Sequence, residues 1–248
     1  MLQSYYDSEA TRYDQSRGGE ARADAAADAI RRLLPTSARL VLDVAGGTGI
    51  VGARLDKPAR RVICVDRSVG MATIAATRLP NRVVRGDATQ LPLATGSVDA
   101  VTTIWLLHLL DEKSSAEVLA EAARVLHPDG TLITTTDKSE AHYRAEDDVA
   151  DVLGQPWRAT RSPATDGWNR ITELAASHGL APVGRTTFTG LGQGRTPAQW
   201  QAHLKDPTSG WPNRCEPNQI ADLCRRLAEL PDQHRPRADP NYQLAAYE

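Results

Sequence analysis

Residues 41–49 form a short apolar run that contains one aspartate and leads directly into a glycine-rich turn. Valine and leucine favour a buried strand, and the glycines let the backbone bend tightly and lie against a ligand. Ligands of open α/β sheets bind at the carboxyl ends of the strands, so the pattern predicts a ligand site beside residues 45–49. Asp43 adds a negative charge there, which favours a cationic group over a phosphate.

Apolar, β-branched runs alternate with helical stretches through the first half of the chain. This alternation is typical of a parallel sheet with right-handed helical crossovers. The predicted strands are residues 40–44, 62–66, 82–85, 98–104, 131–136, 183–189 and 242–247. The predicted helices are residues 23–34, 51–55, 68–78, 116–126, 166–177, 197–204 and 217–230.

The pattern loosens after Asp137, where prolines and glycines separate short helices. We interpret residues 155–157 as one such break and residues 232–240 as an exposed connection. The specificity of the protein is expected to be determined in this second half.

Charge and composition disfavour several classes of protein. The formal net charge is −2 over 248 residues, with acids and bases interspersed, unlike the clustered Lys/Arg of a nucleic-acid binder. The three cysteines form no CxxC pair, which disfavours a zinc site or a disulfide framework and fits a reducing cytoplasm. No run approaches the ~20 apolar residues of a membrane span. We expect a soluble, cytoplasmic protein with no metal, nucleic acid or membrane contact.

Residues 47–52 also satisfy the spacing G-x-G-x-x-G of a dinucleotide-binding fingerprint. Asp66 follows about 20 residues later, where that fingerprint places a ribose-binding acid. Asp43 argues against a dinucleotide, because a carboxylate beside the turn repels a pyrophosphate but attracts an ammonium or a sulfonium. Asp66 can accept ribose hydroxyls in either case, so an NAD(P)-dependent oxidoreductase stays open as the alternative.

A third acid, Asp87, follows the next predicted strand and can accept a hydrogen bond from an adenine amino group. With Asp43, Asp66 and the glycine turn, it makes residues 38–136 resemble the class I S-adenosylmethionine-dependent methyltransferases. The resemblance is closest to the small-molecule branch that includes the ubiquinone and menaquinone enzymes. Residues 121–132 contribute to it, as does an N-terminal pattern made up of Tyr6, Asp7, Ala10, Tyr13, Asp14 and Arg17.

The resemblance implies an α/β fold with a Rossmann-like, seven-stranded, mostly parallel sheet whose last strand is antiparallel. Helices cover both faces, and a helical insert follows the fifth strand. Residues 1–248 then form a single methyltransferase domain, in which residues 1–34 are lid helices and residues 38–136 bind the cofactor. Residues 137–248 supply an acceptor-specificity insert and complete the sheet. The sequence is compatible with a homodimer but does not determine the oligomeric state.

The resemblance also implies the cofactor, S-adenosyl-L-methionine, and the residues that hold it. Asp43 and the backbone of residues 45–49 hold the methionine portion, Asp66 the ribose, and Asp87 with Ala88 the adenine. Tyr13 and Arg17 resemble lid residues that close over the methionine carboxylate, although packing of an N-terminal helix would also explain them. The predicted cofactor residues are Tyr13, Arg17, Asp43, Ala45, Gly46, Gly47, Gly49, Asp66, Arg67, Asp87, Ala88, Ile104 and Trp105.

His108 is the candidate general base, since the ordinary pKa of histidine lies near neutrality. A packing or hydrogen-bonding role for it is equally open. The predicted acceptor-binding residues are Tyr5, Tyr6, His142 and Tyr143, while Trp157 and Trp168 are expected to pack in the core.

The expected reaction is methyl transfer to oxygen or nitrogen of a small molecule, in specialised-metabolite or quinone biosynthesis. A protein that keeps the cofactor without methylating remains a further alternative, because fold does not fix function.

Overall fold

The computed structural model describes residues 2–208 and 210–248, which contain a seven-stranded sheet in the order β3-β2-β1-β4-β5-β7-β6. The strands are β1 (Leu40–Val44), β2 (Arg61–Asp66), β3 (Val83–Arg85), β4 (Val98–Thr103), β5 (Leu126–Thr136), β6 (Pro182–Thr189) and β7 (Asn241–Tyr247). The pairs from β3 to β5 are parallel, whereas β7 pairs antiparallel with both β5 and β6. The predicted fold class is confirmed.

Helices flank the sheet on both faces. They are α1 (Leu2–Ser16), α2 (Gly19–Leu33), α3 (Gly52–Leu55), α4 (Val69–Arg78), α5 (Glu112–Val125), α6 (Asp148–Thr160), α7 (Trp168–Ser177), α8 (Pro197–Lys205) and α9 (Pro217–Ala228). Short 3₁₀ turns occur at Leu107–Leu109, Lys138–Tyr143 and Pro212–Arg214. Within the described ranges, no helix is long and apolar enough to cross a membrane.

The alternation of side chains along each strand divides the sheet core into two layers. Val41 packs on one face with α2, α3 and α4, whereas Leu42 and Val44 pack on the other face with α5 and α7. All three side chains are fully buried, and burial of a valine or leucine contributes ~1.5–3 kcal/mol. The carboxyl end of β1 is therefore fixed by packing on both sides.

A third apolar cluster belongs to the predicted helical insert. Tyr143, Trp157, Trp200 and Trp211 form its centre, together with apolar residues of α6, α8 and α9. Trp157 thus packs as predicted, and Trp168 stacks on Tyr247 of the sheet, with ring centroids 5.9 Å apart. The insert has its own core, and α8 and α9 enter it only after β6 has joined the sheet.

Helix α6 is the main difference from the sequence prediction. Residues 155–157, interpreted as a break, lie inside it, and Pro156 is an interior helical residue. The proline removes one backbone hydrogen bond. The apolar face of the helix outweighs that loss, because Val149, Val152, Leu153 and Trp157 are all buried at helical spacing.

Strand β5 also begins earlier than predicted, at Leu126 rather than at residue 131. Leu126 pairs with Val98, and the register between the two strands then shifts before Ala100 pairs with Thr131. An irregularity of this kind lets a strand continue through residues that resemble a turn.

Candidate active site

An open cleft of about 960 Å³ lies beside the carboxyl ends of β1, β2 and β4. Ten of the residues predicted to bind ligand line it, namely Tyr6, Tyr13, Asp43, Ala45, Gly46, Gly47, Asp66, Arg67, Ile104 and Trp105. A second cleft of about 600 Å³ contains Asp87 and Ala88. The two clefts share Ala45, Asp66 and Arg67, so they form one elongated site.

The turn after β1 depends on tight packing as well as on backbone freedom. A Cβ atom on Gly46 would lie 2.6 Å from Asp43 Oδ2 and 2.8 Å from Cys64 Sγ, too close for any side chain. Gly49 has a φ of +70°, a backbone conformation that residues with a Cβ atom rarely adopt. Ala45 also adopts a positive φ, +53°, and this strain lies where the chain borders the cleft.

Asp43 is buried beneath the turn, with 2% of its surface exposed. Its Oδ1 accepts a hydrogen bond from Thr102 Oγ1 at 2.7 Å, whereas Oδ2 has no partner within the described residues. Burial raises the pKa of Asp43 to about 6, and the charge of Asp66 adds to the rise, while the Thr102 hydrogen bond opposes it. An unpaired, buried carboxylate oxygen is costly, and a cationic ligand group would offset the cost.

Asp66 joins the turn after β1 to the turn after β2. Its Oδ2 accepts from Gly47 N at 2.9 Å, and its Oδ1 accepts from Ser68 N at 2.8 Å. Burial raises the pKa of Asp66, and these two backbone hydrogen bonds oppose the rise. Each oxygen keeps a further lone pair for a ligand hydroxyl, and the side chain lies where the two clefts meet.

Asp87 lies at the exposed end of the second cleft. Its Oδ1 accepts hydrogen bonds from Thr89 N and Thr89 Oγ1, both at 2.9 Å. The backbone hydrogen bond from Thr89 is the main reason that the pKa of Asp87 is lowered. Asp87 is therefore ionised at neutral pH.

Helix α1 covers the first cleft and is attached to it by two aspartates. Asp7 Oδ1 accepts from Ser68 Oγ at 2.5 Å and from Gly70 N at 3.1 Å. Asp14 accepts from Thr48 Oγ1 at 2.6 Å and forms an ion pair with Arg78 at 2.7 Å. The sequence pattern included both aspartates but gave neither a role. Their spacing of two helical turns places them on one face, which is the signal that could have revealed the attachment.

Tyr6 and Tyr13 of α1 line the cleft, with their ring centroids 5.9 Å apart. Arg17 lies in the exposed turn after α1, and its guanidinium is 5.7 Å from the centroid of the Tyr13 ring. Tyr5 is 47% exposed and packs edge-on against Tyr6 outside the cleft.

Gly49, which was predicted to bind the cofactor, lies behind the turn that follows β1. A Cβ atom added there would approach Ala75 Cβ at 3.1 Å.

Trp105 follows β4 and has a φ of +61°, a conformation that is strained for an aromatic residue. Its backbone N–H donates to Thr135 Oγ1 at 3.0 Å. The Arg22 guanidinium carbon lies 3.5 Å from the centroid of the indole ring. Strain of this kind clusters at functional sites, and Trp105 forms part of the cleft wall.

His108 lies in the 3₁₀ turn beyond Trp105, outside the residues that line the two clefts. Burial lowers its pKa well below the ordinary value, and the charges of Lys138, Arg17 and Arg22 act in the same direction. Its Nδ1 is buried with no partner within the described residues. The near-neutral pKa expected for this histidine is therefore wrong, and its catalytic role stays a prediction.

His142 and Tyr143 belong to the helical insert rather than to the lining of the cleft. Tyr143 stacks on Trp157, with ring centroids 4.6 Å apart, and its hydroxyl accepts from Trp211 Nε1 at 2.7 Å. His142 lies edge-on to Trp200 at 5.8 Å, and burial lowers its pKa to about 3. Their predicted contact with an acceptor stays a prediction.

Several residues that line the first cleft were not predicted from the sequence. They are mostly apolar and come from the loop after β1, from α4 and its cap, and from the loop after β4: Ile50, Val51, Ser68, Met71, Leu106, Leu109 and Leu110. Their position after strand ends was the available signal. Among the residues that the structure covers, no group of three histidine, cysteine, aspartate or glutamate side chains could hold a metal ion.

Residues 42–134 match the family described as Methyltransferase domain. An uncharacterized methyltransferase of Mycobacterium tuberculosis is 32% identical over 139 residues, which are 56% of each chain. A demethylmenaquinone methyltransferase of Renibacterium salmoninarum is 40% identical over 94 residues, which are 38% of this chain and 39% of that protein. The chain thus spans about half the length of the first of these curated relatives and less than half of the second.

The solved structure of the (4+2)-cyclase SpnF superposes with a TM-score of 0.62 at 19% identity, covering 100% of this chain and 95% of that one. The sheet order, the site at the strand ends and this likeness define a Rossmann-like α/β protein. Within that class, the family match and both relatives confirm the predicted resemblance to the class I S-adenosylmethionine-dependent methyltransferases.

Proposed function

We propose that the protein transfers the methyl group of S-adenosylmethionine to an oxygen or nitrogen of a small-molecule acceptor. The observation that carries the proposal is the elongated site itself, along which Asp43, Asp66 and Asp87 follow one another at three successive strand ends. A ligand with a cationic amino-acid end, a ribose and an adenine presents complementary groups in the same order.

The residues present fit that cofactor. The buried Oδ2 of Asp43 lacks a partner in the described chain, and the methionine ammonium would supply a charge of the right sign. Asp66 would hold the ribose, and Asp87 with the backbone of Ala88 the adenine. Tyr13 and Arg17 would contact the methionine carboxylate from the lid.

Bound S-adenosylmethionine supplies an already activated methyl group, so the protein has to align the acceptor and exclude water. Helix α1 closes the site, and Ile50, Met71 and Leu109 line it with apolar surface. His108 is neutral and can accept a proton, but its lowered pKa makes it a weak base. We therefore assign most of the rate enhancement to positioning.

The setting of the reaction, in specialised-metabolite or quinone biosynthesis, is part of the proposal. The demethylmenaquinone methyltransferase supports a quinone-like acceptor through similarity over 38% of this chain. A cytoplasmic location is supported by the free cysteines Cys64, Cys215 and Cys224. SpnF has a related fold and is a cyclase, so a catalyst that keeps the cofactor without methylating is the second candidate.

Calorimetric titration with S-adenosylhomocysteine and with NAD tests the cofactor assignment. We expect the first ligand alone to bind, and Asp66→Ala to weaken its binding at least ~tenfold, because a charge-assisted hydrogen bond contributes ~1.5–3 kcal/mol. Asp222→Ala, an exposed acid on α9, is the matched control and should bind like the parent. Binding of NAD alone would reverse the ranking of the two cofactors.

Metabolite profiling then tests the reaction. Incubation of the protein with S-adenosylmethionine and a metabolite extract should yield a product that gains one methyl group, together with S-adenosylhomocysteine. Cofactor binding without such a product, across extracts that contain acceptors of many classes, would favour the non-methylating alternative.

A further inference from the structure

We propose that the methyl acceptor carries a negatively charged group, which is recognised by a cluster of cationic side chains beside Trp105. This inference rests on the proposed function and names the substrate class of that site. The cation cluster consists of Arg17, Arg22, Lys138 and Arg195, which come from three separate segments of the chain.

Arg22 connects the cation cluster to the cleft. Only 6% of its surface is exposed, and its guanidinium lies against the face of Trp105, which lines the cleft. Its Nη1 donates to the carbonyl oxygen of Arg17 at 2.5 Å, while its Nε has no partner among the described residues. A buried guanidinium with an unused donor is a poor structural element but a good recognition group for an anion.

A hydrogen-bonded chain holds the backbone of Arg17 and the segment that contains Arg195 near this point. Gln193 Nε2 donates to the carbonyl oxygen of Arg17 at 3.1 Å, and the Tyr242 hydroxyl donates to Gln193 Oε1. The ring centroid of Tyr242 is 6.2 Å from that of Trp105. Arg195, two residues beyond Gln193, lies over the ring of Trp200.

Lys138 begins the turn that follows β5. Burial lowers its pKa to about 8, and the charges of Arg22, Arg17 and Arg195 act in the same direction, against the opposing charge of Asp166. Thr135, three positions before Lys138, accepts a hydrogen bond from the backbone N–H of Trp105 at 3.0 Å, which brings the start of this turn to the Trp105 end of the cleft. Lys138 is largely protonated at neutral pH.

The protein does not balance this charge. In the described part of the chain, none of the four cations forms an ion pair with a carboxylate. The acid that acts on Arg22, Asp14, is paired with Arg78. The acid that acts on Lys138, Asp166, accepts from the backbone N–H of Lys138. Arg22 is buried, Lys138 and Arg195 are half-buried, and Arg17 is exposed. Buried charges are normally paired, so Arg22 above all indicates a missing anionic partner.

The cofactor does not supply enough negative charge. S-adenosylmethionine has one carboxylate, which can pair with one cation, and it brings two positive groups of its own. Three more polar atoms beside the cation cluster are buried without a partner among the residues that the structure describes, namely Trp105 Nε1, His108 Nδ1 and Thr136 Oγ1. Trp105, Phe188 and Tyr242 add an aromatic surface. The fitting acceptor has an apolar body and an acidic group that is ionised at neutral pH.

Two dyes of nearly the same shape test this inference. They are 1-anilinonaphthalene-8-sulfonate and N-phenyl-1-naphthylamine, which lacks the sulfonate. Fluorescence titration is done on the full chain saturated with S-adenosylhomocysteine. We expect the sulfonate dye to bind at least about tenfold more tightly than the neutral one, and Lys138→Met to abolish most of that preference. Lys113→Met, which removes an 86% exposed lysine from α5, is the control and should keep the preference.

The outcomes separate this inference from the proposed function. Equal affinity for the two dyes would overturn the inference, and so would an equal loss of the preference for the sulfonate dye in Lys138→Met and Lys113→Met. If S-adenosylhomocysteine still binds, the proposed function stands in either case. Failure of S-adenosylhomocysteine to bind would instead contradict the proposed function, and the dye preference measured without it would still decide whether an anion site exists. Retained S-adenosylhomocysteine affinity in Lys138→Met shows that the variant is folded.

Discussion

At the scale of single residues, the site keeps a buried carboxylate, Asp43, that has no cationic partner among the described residues and destabilises the folded protein. The unfolded carboxyl of Asp43 ionises near 3.8 and the folded one near 6, so the folded state binds the proton more tightly. The stability gained from that proton is present below about 3.8 and is lost as the pH rises through about 6. The difference corresponds to ~3 kcal/mol of destabilisation at neutral pH.

Asp43→Asn should therefore make the protein more stable at pH 7, by up to ~3 kcal/mol, since it removes the charge and keeps an oxygen for Thr102. The gain should shrink at pH 4. Binding of S-adenosylhomocysteine should weaken at least ~tenfold, because the ammonium loses its partner. Urea unfolding at the two pH values and calorimetry measure these effects. A less stable variant at pH 7 would contradict the buried-charge account.

The residues that bind ligand were only partly predictable. Asp43, Asp66 and Asp87 follow β-branched runs, and strand ends of a parallel sheet meet at one edge, so their grouping could be predicted. Arg22 and Lys138 could not be grouped, because they lie more than a hundred positions apart and only the sheet order brings their segments together. Burial that shifts a pKa, as at His108, also depends on contacts that a sequence does not display.

At the scale of secondary-structure elements, we expect helix α1 to act as a lid, because side-chain hydrogen bonds attach it to the site and Ala10 is the one buried residue among its described positions 5–16. Asp7 and Asp14 attach it to the turns after β2 and β1, the two turns that border the cofactor site. Carboxylates that pair at a partly exposed surface contribute modestly to stability. We therefore expect helix α1 to open without unfolding of the sheet.

Asp14→Ala should release the end of the lid that contacts Thr48 and Arg78. We expect faster hydrogen exchange in α1 and several-fold faster dissociation of S-adenosylhomocysteine, with the free energy of unfolding changed by less than ~1 kcal/mol. Asp28→Ala is the control, because it removes another arginine-paired acid, from α2. It should change neither the hydrogen exchange of α1, nor the dissociation of S-adenosylhomocysteine, nor the free energy of unfolding. Unchanged exchange in α1 would show that Asp14 does not hold the lid.

Element boundaries show where sequence patterns are informative. Strands β1 and β2 are apolar and β-branched, and the predicted bounds agree with the observed ones to within a residue. Helix α6 was missed because Pro156 suggests an end, although its apolar positions follow a helical period. The local cost of the proline is visible in a sequence, whereas the tertiary contact that offsets it is not.

At the scale of the whole molecule, the core consists of separate parts. Two clusters pack on the faces of the sheet, and the third holds the helical insert together around its aromatic residues. A change within the third cluster should therefore leave the cofactor cleft intact.

Trp157→Ala tests this separation. The indole is 5% exposed and stacks on Tyr143, so its removal should destabilise the insert by ~3–5 kcal/mol. We expect loss of hydrogen-exchange protection in α6, α8 and α9, while β1, β2 and the affinity for S-adenosylhomocysteine stay as in the parent. An equal loss of protection in the sheet would show that the insert and the sheet unfold as one unit.

The insert enters the chain on either side of β6: its first part lies between β5 and β6, and its second part connects β6 to the neighbouring strand β7. We expect substitutions in such a module to leave the proposed nucleoside-binding end of the cleft undisturbed. Under the proposed function, evolution would exchange one acceptor for another in this module while the methyl donor stays the same, and an engineer would graft the module between homologues at the ends of β5, β6 and β7.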